Sequence, residues 1–175
     1  HFDGTKMNFQ LKETFGIRQS DTTLKGPHNL INTMAAVSAV YLAGVPLEAI
    51  RDGLKTFKNA PHRLESVATI KGVEFVNDSK ATNVDSVVYA LGSYDNPLVW
   101  IAGGVDKGND YSIIKDEVKK RVKVLICLGK DNEKLKKSFS GAVKEILETQ
   151  NVKDCVHKAF TVAVPGDVVL LSPAC

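Results

Sequence analysis

Cysteine is sparse in this chain of 175 residues: Cys127, Cys155 and Cys175 are odd in number, and no two stand in a CxxC spacing. That pattern argues against a disulfide framework and for reduced thiols in a cytoplasmic protein. Cys127 lies inside an apolar run and reads as core. No stretch approaches the roughly 20 apolar residues that a membrane span needs. The opening HFDGTKMNF has neither the basic nor the apolar region of a signal peptide. A cytoplasmic protein without membrane contact is therefore expected, and because the chain opens on histidine it is expected to begin inside a longer protein. The four histidines are scattered, and no set of His, Cys, Asp and Glu has metal-ligand spacing, so no metal site is expected among these residues. Local motifs for a Ser-His-Asp or Cys-His nucleophile are absent as well, as are repeats and low-complexity tracts.

Charge of one sign does not dominate either. The 23 basic and 20 acidic residues are interleaved and leave a formal net charge of +3. The basic clusters, Lys119-Lys120-Arg121 and Lys136-Lys137, sit in helix-like stretches with acidic neighbours. They read as solvated faces rather than a nucleic-acid surface. A mild positive balance suits a site for anionic small molecules. With 43% hydrophobic and 25% charged residues the chain has the composition of a soluble globular protein, long enough to bury a core without staples.

What is present falls into two unequal parts. In residues 1–60 a short extended or irregular segment precedes a helix from about Pro27 to Ala43, with Pro27 in its first turn and Gly44 at its stop. Residues 34–43 are almost wholly apolar, which predicts burial on most sides. A second helix from Pro46 carries Leu47, Ile50, Leu54 and Phe57 at helical spacing. Lys58-Asn59-Ala60-Pro61 is a polar, proline-bearing boundary. Beyond it, residues 64–70 and 73–76 flank Lys71-Gly72 as a β-hairpin. Apolar runs at 98–102, 122–128 and 168–171 then alternate with helical stretches near 83–93, 111–121, 131–139 and 151–162, and 145–148 forms a further short strand. This alternation predicts an α/β fold, a mainly parallel sheet with helices on both faces.

Such sheets bind ligands where strands end at their carboxyl edge, which nominates loops 77–83, 103–110 and 172–175. The first reads Asn77-Asp78-Ser79-Lys80-Ala81-Thr82-Asn83: a lysine, hydroxyls and the start of a helix can build an anion site, although the same residues are ordinary caps. The second, Gly103-Gly104-Val105-Asp106-Lys107-Gly108-Asn109-Asp110, lets backbone approach a ligand and offers Lys107 to an anion; a flexible connection is the alternative. At the boundary, Arg63 of His62-Arg63 can give a phosphate two hydrogen bonds or form a salt bridge. Asn29 and Asn32 are i,i+3 neighbours sharing a helix face, and their amides need backbone or ligand partners.

Taken in order, these segments resemble the Mur ligase family. The run Leu24-Lys25-Gly26-Pro27-His28-Asn29-Leu30-Ile31-Asn32, then Pro61-His62-Arg63-Leu64-Glu65, then NDSKATN, Gly103-Gly104 with Asp106-Lys107-Gly108, and Leu171-Ser172-Pro173-Ala174-Cys175 carry the likeness. The resemblance implies a Rossmann-like domain at 61–175 preceded by a helical remnant (1–60) of a central ATPase domain. It implies an ATP-dependent amide-bond ligase of peptidoglycan synthesis working through an acyl phosphate. Within the family, NDSKATN indicates the member that joins D-glutamate to UDP-N-acetylmuramoyl-L-alanine. By motif, Asn29, Asn32, His62, Arg63, Asp78 and Lys80 would bind ATP. Lys80, Thr82, Lys107 and Ser172 would bind substrate, and Lys80, Arg63 and Lys107 would be the catalytic cations. The enzyme would act as a cytoplasmic monomer.

No GxxxxGK[ST] P-loop occurs, and Gly4-Thr5-Lys6 lacks its spacing. The resemblance implies that the family's phosphate loop and Mg2+ ligands lie upstream of this chain, which should not turn over alone. A folylpolyglutamate-synthetase-like ligase and a non-catalytic nucleotide-binding module stand as alternatives.

Overall fold

The structure, a computed structural model, describes residues 1–24 and 26–174, with Pro27 and His28 described in their backbone only. Cys175 and Lys25, both within the motifs above, lie outside the described residues. The chain divides into two units, His1–Asn59 and Ala60–Cys175.

In the first unit the opening segment takes the extended alternative, and its two strands form a hairpin. Strands β1 (Lys6–Gln10) and β2 (Thr14–Arg18) pair antiparallel, with Met7 opposite Ile17 and Phe9 opposite Phe15. Alternation puts Met7, Phe9 and Ile17 on one face, and Phe9 and Phe15 stack with centroids 4.9 Å apart. These strands are short and bounded by charged residues, so the period-2 signal spans too few residues to stand out. Helices α1 (Pro27–Leu42) and α2 (Leu47–Thr56) pack on that face through Val37 and Ile50. Gly26 (φ +88°) and Gly44 (φ +94°) supply the positive backbone angles at the two ends of α1.

The expectation that α1 is buried on most sides does not hold. Asn29, Thr33 and Val37, spaced by four, are buried, whereas Ile31 is 65% and Leu42 52% exposed. Apolar composition sets what a helix can bury; the neighbours present decide what it does bury. In the same way Ile50 is buried but Phe57, just past the end of α2, is half exposed.

The second unit is a six-stranded sheet. Its strands are β3 (Glu65–Ile70), β4 (Val73–Asn77), β5 (Leu98–Ala102), β6 (Val122–Leu128), β7 (Glu145–Thr149) and β8 (Val168–Leu171), in the order β3-β4-β8-β5-β6-β7. Only β3 runs antiparallel, through a two-residue turn whose residues Lys71 (φ +50°) and Gly72 (φ +77°) both take the positive angles a tight hairpin demands. The other pairs are parallel.

Helices α3 (Val84–Gly92), α4 (Lys115–Arg121) and α5 (Glu133–Phe139) cover one face; α6 (Val152–Val162) covers the other. Strand alternation divides β5 accordingly. Leu98, Trp100 and Ala102 join the first core, Val99 and Ile101 the second, and all five are buried. Cys127 and Cys155 are buried free thiols, one in each core. Burial raises their pKa to about 12 and about 11, which keeps both protonated and inert at neutral pH. Among the described residues no helix is long and apolar enough to cross a membrane.

Candidate functional site

The strand order places β8, last in sequence, between β4 and β5. The three nominated loops therefore leave adjacent parallel strands at one carboxyl edge, and main-chain hydrogen bonds tie them together. Asp78 N–H donates to Leu171 O (2.8 Å), Gly103 N–H to Pro173 O (2.9 Å) and Ala174 N–H to Ala81 O (3.1 Å). The Asn109 side-chain amide adds a bond to Ala174 O at 2.8 Å.

Beneath this edge lies a buried polar knot. Asp78, only 7% exposed, accepts from Leu64 N–H at Oδ1 (3.1 Å) and from the Ser172 hydroxyl at Oδ2 (3.0 Å). Ser172 is wholly buried, and its carbonyl accepts from the indole Nε1–H of Trp100 at 2.8 Å. Ser172 thus faces Asp78 and not solvent: its side chain holds the acid that shapes the loop. Trp100 in turn packs edge-on to Phe139, so the knot is anchored on the core.

Among the described residues, three of the four non-glycine residues with positive φ lie here: His62 (66°), Leu64 (44°) and Ala174 (69°). Each such residue costs roughly 1–3 kcal/mol and persists only where its surroundings over-determine it. Here the Glu65 carboxylate accepts from His62 N–H (2.8 Å), Asp78 from Leu64 N–H, and His62 O from Lys80 N–H (3.1 Å). The Asn77 amide donates to His62 Nδ1 at 2.8 Å while its own oxygen accepts from Ser79 N–H, which fixes both orientations. The His62-Arg63 segment is thereby clamped onto loop 77–83.

Above the knot stand the exposed groups. Arg63, Lys80, Thr82 and Lys107 are all exposed and belong to this unit's rim, and Asn83 caps α3 through Ser86 N–H at 2.8 Å. The second loop is built on a close approach: a Cβ on Gly103 (φ +135°) would fall 2.3 Å from Leu128 O. In that loop Asp106 has its pKa held below the ordinary carboxylate value, chiefly by its hydrogen bond from Lys134.

Asn29 and Asn32 belong to the other unit, where the shared face does not mean shared burial: Asn29 is 7% exposed and Asn32 lies in solvent. Trp100 and Lys134 support the site from outside the segments that the sequence nominates. A lone tryptophan one strand-length before a glycine pair was the available signal for Trp100. No comparable signal marks Lys134, which lies 28 residues from Asp106. Among the described residues no three His, Cys, Asp or Glu side chains converge as metal ligands.

This arrangement, one loop and a glycine loop joined across β8, lies at the carboxyl edge of a parallel sheet, where α/β folds commonly bind ligands. Residues 62–175 match the family model described as Mur ligase, glutamate ligase domain, and the chain belongs to that family. A UDP-N-acetylmuramoylalanine–D-glutamate ligase of Cytophaga hutchinsonii is 53% identical over 152 residues, covering 87% of this chain and 34% of that protein. Its counterpart in Porphyromonas gingivalis is 47% identical over 165 residues, covering 94% and 37%. The chain thus spans about a third of the length of the curated relatives it matches.

Among solved structures, a UDP-N-acetylmuramate-alanine ligase from Thermotoga maritima superposes with a TM-score of 0.71 at 16% identity, covering 92% of this chain and 37% of that one. A folylpolyglutamate synthase from Mycobacterium tuberculosis gives 0.69 at 17%, covering 87% and 39%. Both share the fold.

Proposed function

We propose that this chain is the C-terminal part of a cytoplasmic ligase that joins D-glutamate to UDP-N-acetylmuramoyl-L-alanine. The observation that carries the reading is the tying of NDSKATN, the Gly103-Gly104 loop and Leu171-Ser172-Pro173-Ala174 into one sheet edge. The 53% and 47% identities to D-glutamate-adding relatives support that substrate rather than a folate.

In this reading ATP phosphorylates the L-alanine carboxylate and leaves as ADP. The D-glutamate amine then attacks the acyl carbon, phosphate departs and an amide bond remains. Both steps spread negative charge over oxygens, so cations placed in advance are the natural aid. Arg63 takes an ATP phosphate and Lys80 sits between phosphate and D-glutamate. Lys107 and Thr82 hold the amino acid, while His62 adds a nucleotide contact. Asp78, bonded on both carboxylate oxygens, presents the loop and meets the ribose only at its edge; Ser172 acts by holding Asp78. The Mg2+ ligands are assigned to the part of the full-length ligase that carries its phosphate loop.

The test is ADP release by the full-length protein. It should require both D-glutamate and UDP-N-acetylmuramoyl-L-alanine, and Lys80→Ala should cost at least about 100-fold in kcat/KM, the scale for an electrostatic catalytic group. Release driven instead by a folate with L-glutamate, or nucleotide binding without release, would sink the reading.

A further inference from the structure

Lys107 rides on the most exposed stretch of the site, and what steadies that stretch comes from outside the three loops. Asp106 accepts from Lys134 Nζ at Oδ2 (2.9 Å) and from Asn109 N–H at Oδ1 (3.2 Å). The Lys134 ammonium also lies 5.6 Å from the ring centroid of Tyr111, a residue that is 4% exposed and packs edge-on to Phe139 at 5.7 Å. Lys134 belongs to α5, whose Leu135 and Phe139 are buried in the core, so the cation extends from a rigid element.

The base of the loop rests on the same connection. Gly103 abuts Leu128, and the space over Gly129 is bounded by Gly104 O (3.3 Å) and Asn132 Oδ1 (3.1 Å). The segment between β6 and α5 is therefore the platform for the Lys107 loop.

We propose that Lys134 is a positioning residue for amino-acid binding: by pairing with Asp106 it fixes the backbone that presents Lys107 to a substrate carboxylate. Two physical effects act together. A loop ordered before binding spares the affinity that ordering would cost. In addition, Asp106 is the immediate neighbour of Lys107, and unpaired it would compete for the Lys107 ammonium and repel an anionic substrate. Lys134 occupies that carboxylate and removes both penalties. The proposal rests on the reading that Lys107 binds the D-glutamate carboxylate.

The experiment measures D-glutamate KM, kcat and the KM values of the other two substrates in the full-length ligase carrying Lys134→Ala, Lys134→Arg or Lys107→Ala. An exposed ion pair is worth up to about a factor of 5, and the loop ordering adds to it. Lys134→Ala should raise D-glutamate KM by about 3- to 10-fold, with kcat and the other KM values within about 2-fold, and Lys134→Arg should restore most of the loss. Lys107→Ala should raise the same KM further, and adding Lys134→Ala to it should change little, because the two act through one contact.

If Lys107→Ala raises D-glutamate KM while Lys134→Ala leaves it unchanged, the brace is wrong and the role of Lys107 stands. If Lys107→Ala itself leaves that KM unchanged, the underlying reading falls and the proposal with it. A Lys134→Ala loss spread evenly over all three substrates, or one that arginine does not recover, would mark a general structural role and also overturn the proposal.

Discussion

Two loops at one sheet edge carry the candidate site, and they are held in opposite ways. Loop 77–83 is fastened from below: main-chain bonds reach β8 and His62, and the buried Asp78 carboxylate gathers Leu64 and Ser172. Loop 103–110 is anchored at its base by Gly103 and Asn109, but between those points it is steadied by an ion pair whose side chains are 46% and 40% exposed. The first loop is part of the fold's own hydrogen-bond framework. The second depends in its middle on a solvent-exposed pair of side chains.

The comparison can be broken at the glycine first. Gly103→Ala puts a Cβ against Leu128 backbone at a φ that alanine resists. Strain and overlap together should cost about 4 kcal/mol, read as a lowered urea midpoint by the fluorescence of Trp100, the single tryptophan. A wild-type midpoint would mean the two connections are not in close approach. Asp78→Ala should follow at about 2–3 kcal/mol, since it leaves the Leu64 N–H and the Ser172 hydroxyl without their acceptor. Ser172→Ala removes one donor to a group that keeps another partner, so a loss near 1 kcal/mol is expected; a loss equal to that of Asp78→Ala would show that the serine, not the acid, organises the knot.

The smallest effect concerns acid. Asp106 is depressed by Lys134, so its contribution is present at neutral pH and disappears as pH falls below the ordinary carboxylate range. Amide protection in loop 103–110, taken relative to the intrinsic exchange rate at each pH, should fall over that interval. In Lys134→Ala the Asp106 carboxyl, followed by NMR, should titrate closer to its ordinary value; an unmoved titration would remove the ion pair from the account.

Much of this was legible beforehand because the signals are local. Apolar runs of strand length, helical spacing and the Lys71-Gly72 turn led to the α/β sheet, and the carboxyl-edge rule nominated all three loops. The β1–β2 hairpin was missed because five-residue strands with charged flanks show little period, and α1 was taken as more buried than it is because composition does not say what lies beside a helix. Trp100 and Lys134 lie outside the nominated segments, and the Asn109 bond to Ala174 does not show in its loop, because these bonds span 72, 28 and 65 positions.

The residues alone determined which elements form and which short motifs carry charge and hydroxyls, since propensity, alternation and motif spacing are properties of neighbours in the chain. They also carried the Mur ligase resemblance, which the family match now states as membership. Only the tertiary structure decided that β8 lies between β4 and β5. That order, a matter of long-range pairing, turns three separated loops into one edge, buries Ser172 against Asp78, and leaves Lys80 and Lys107 exposed on its rim.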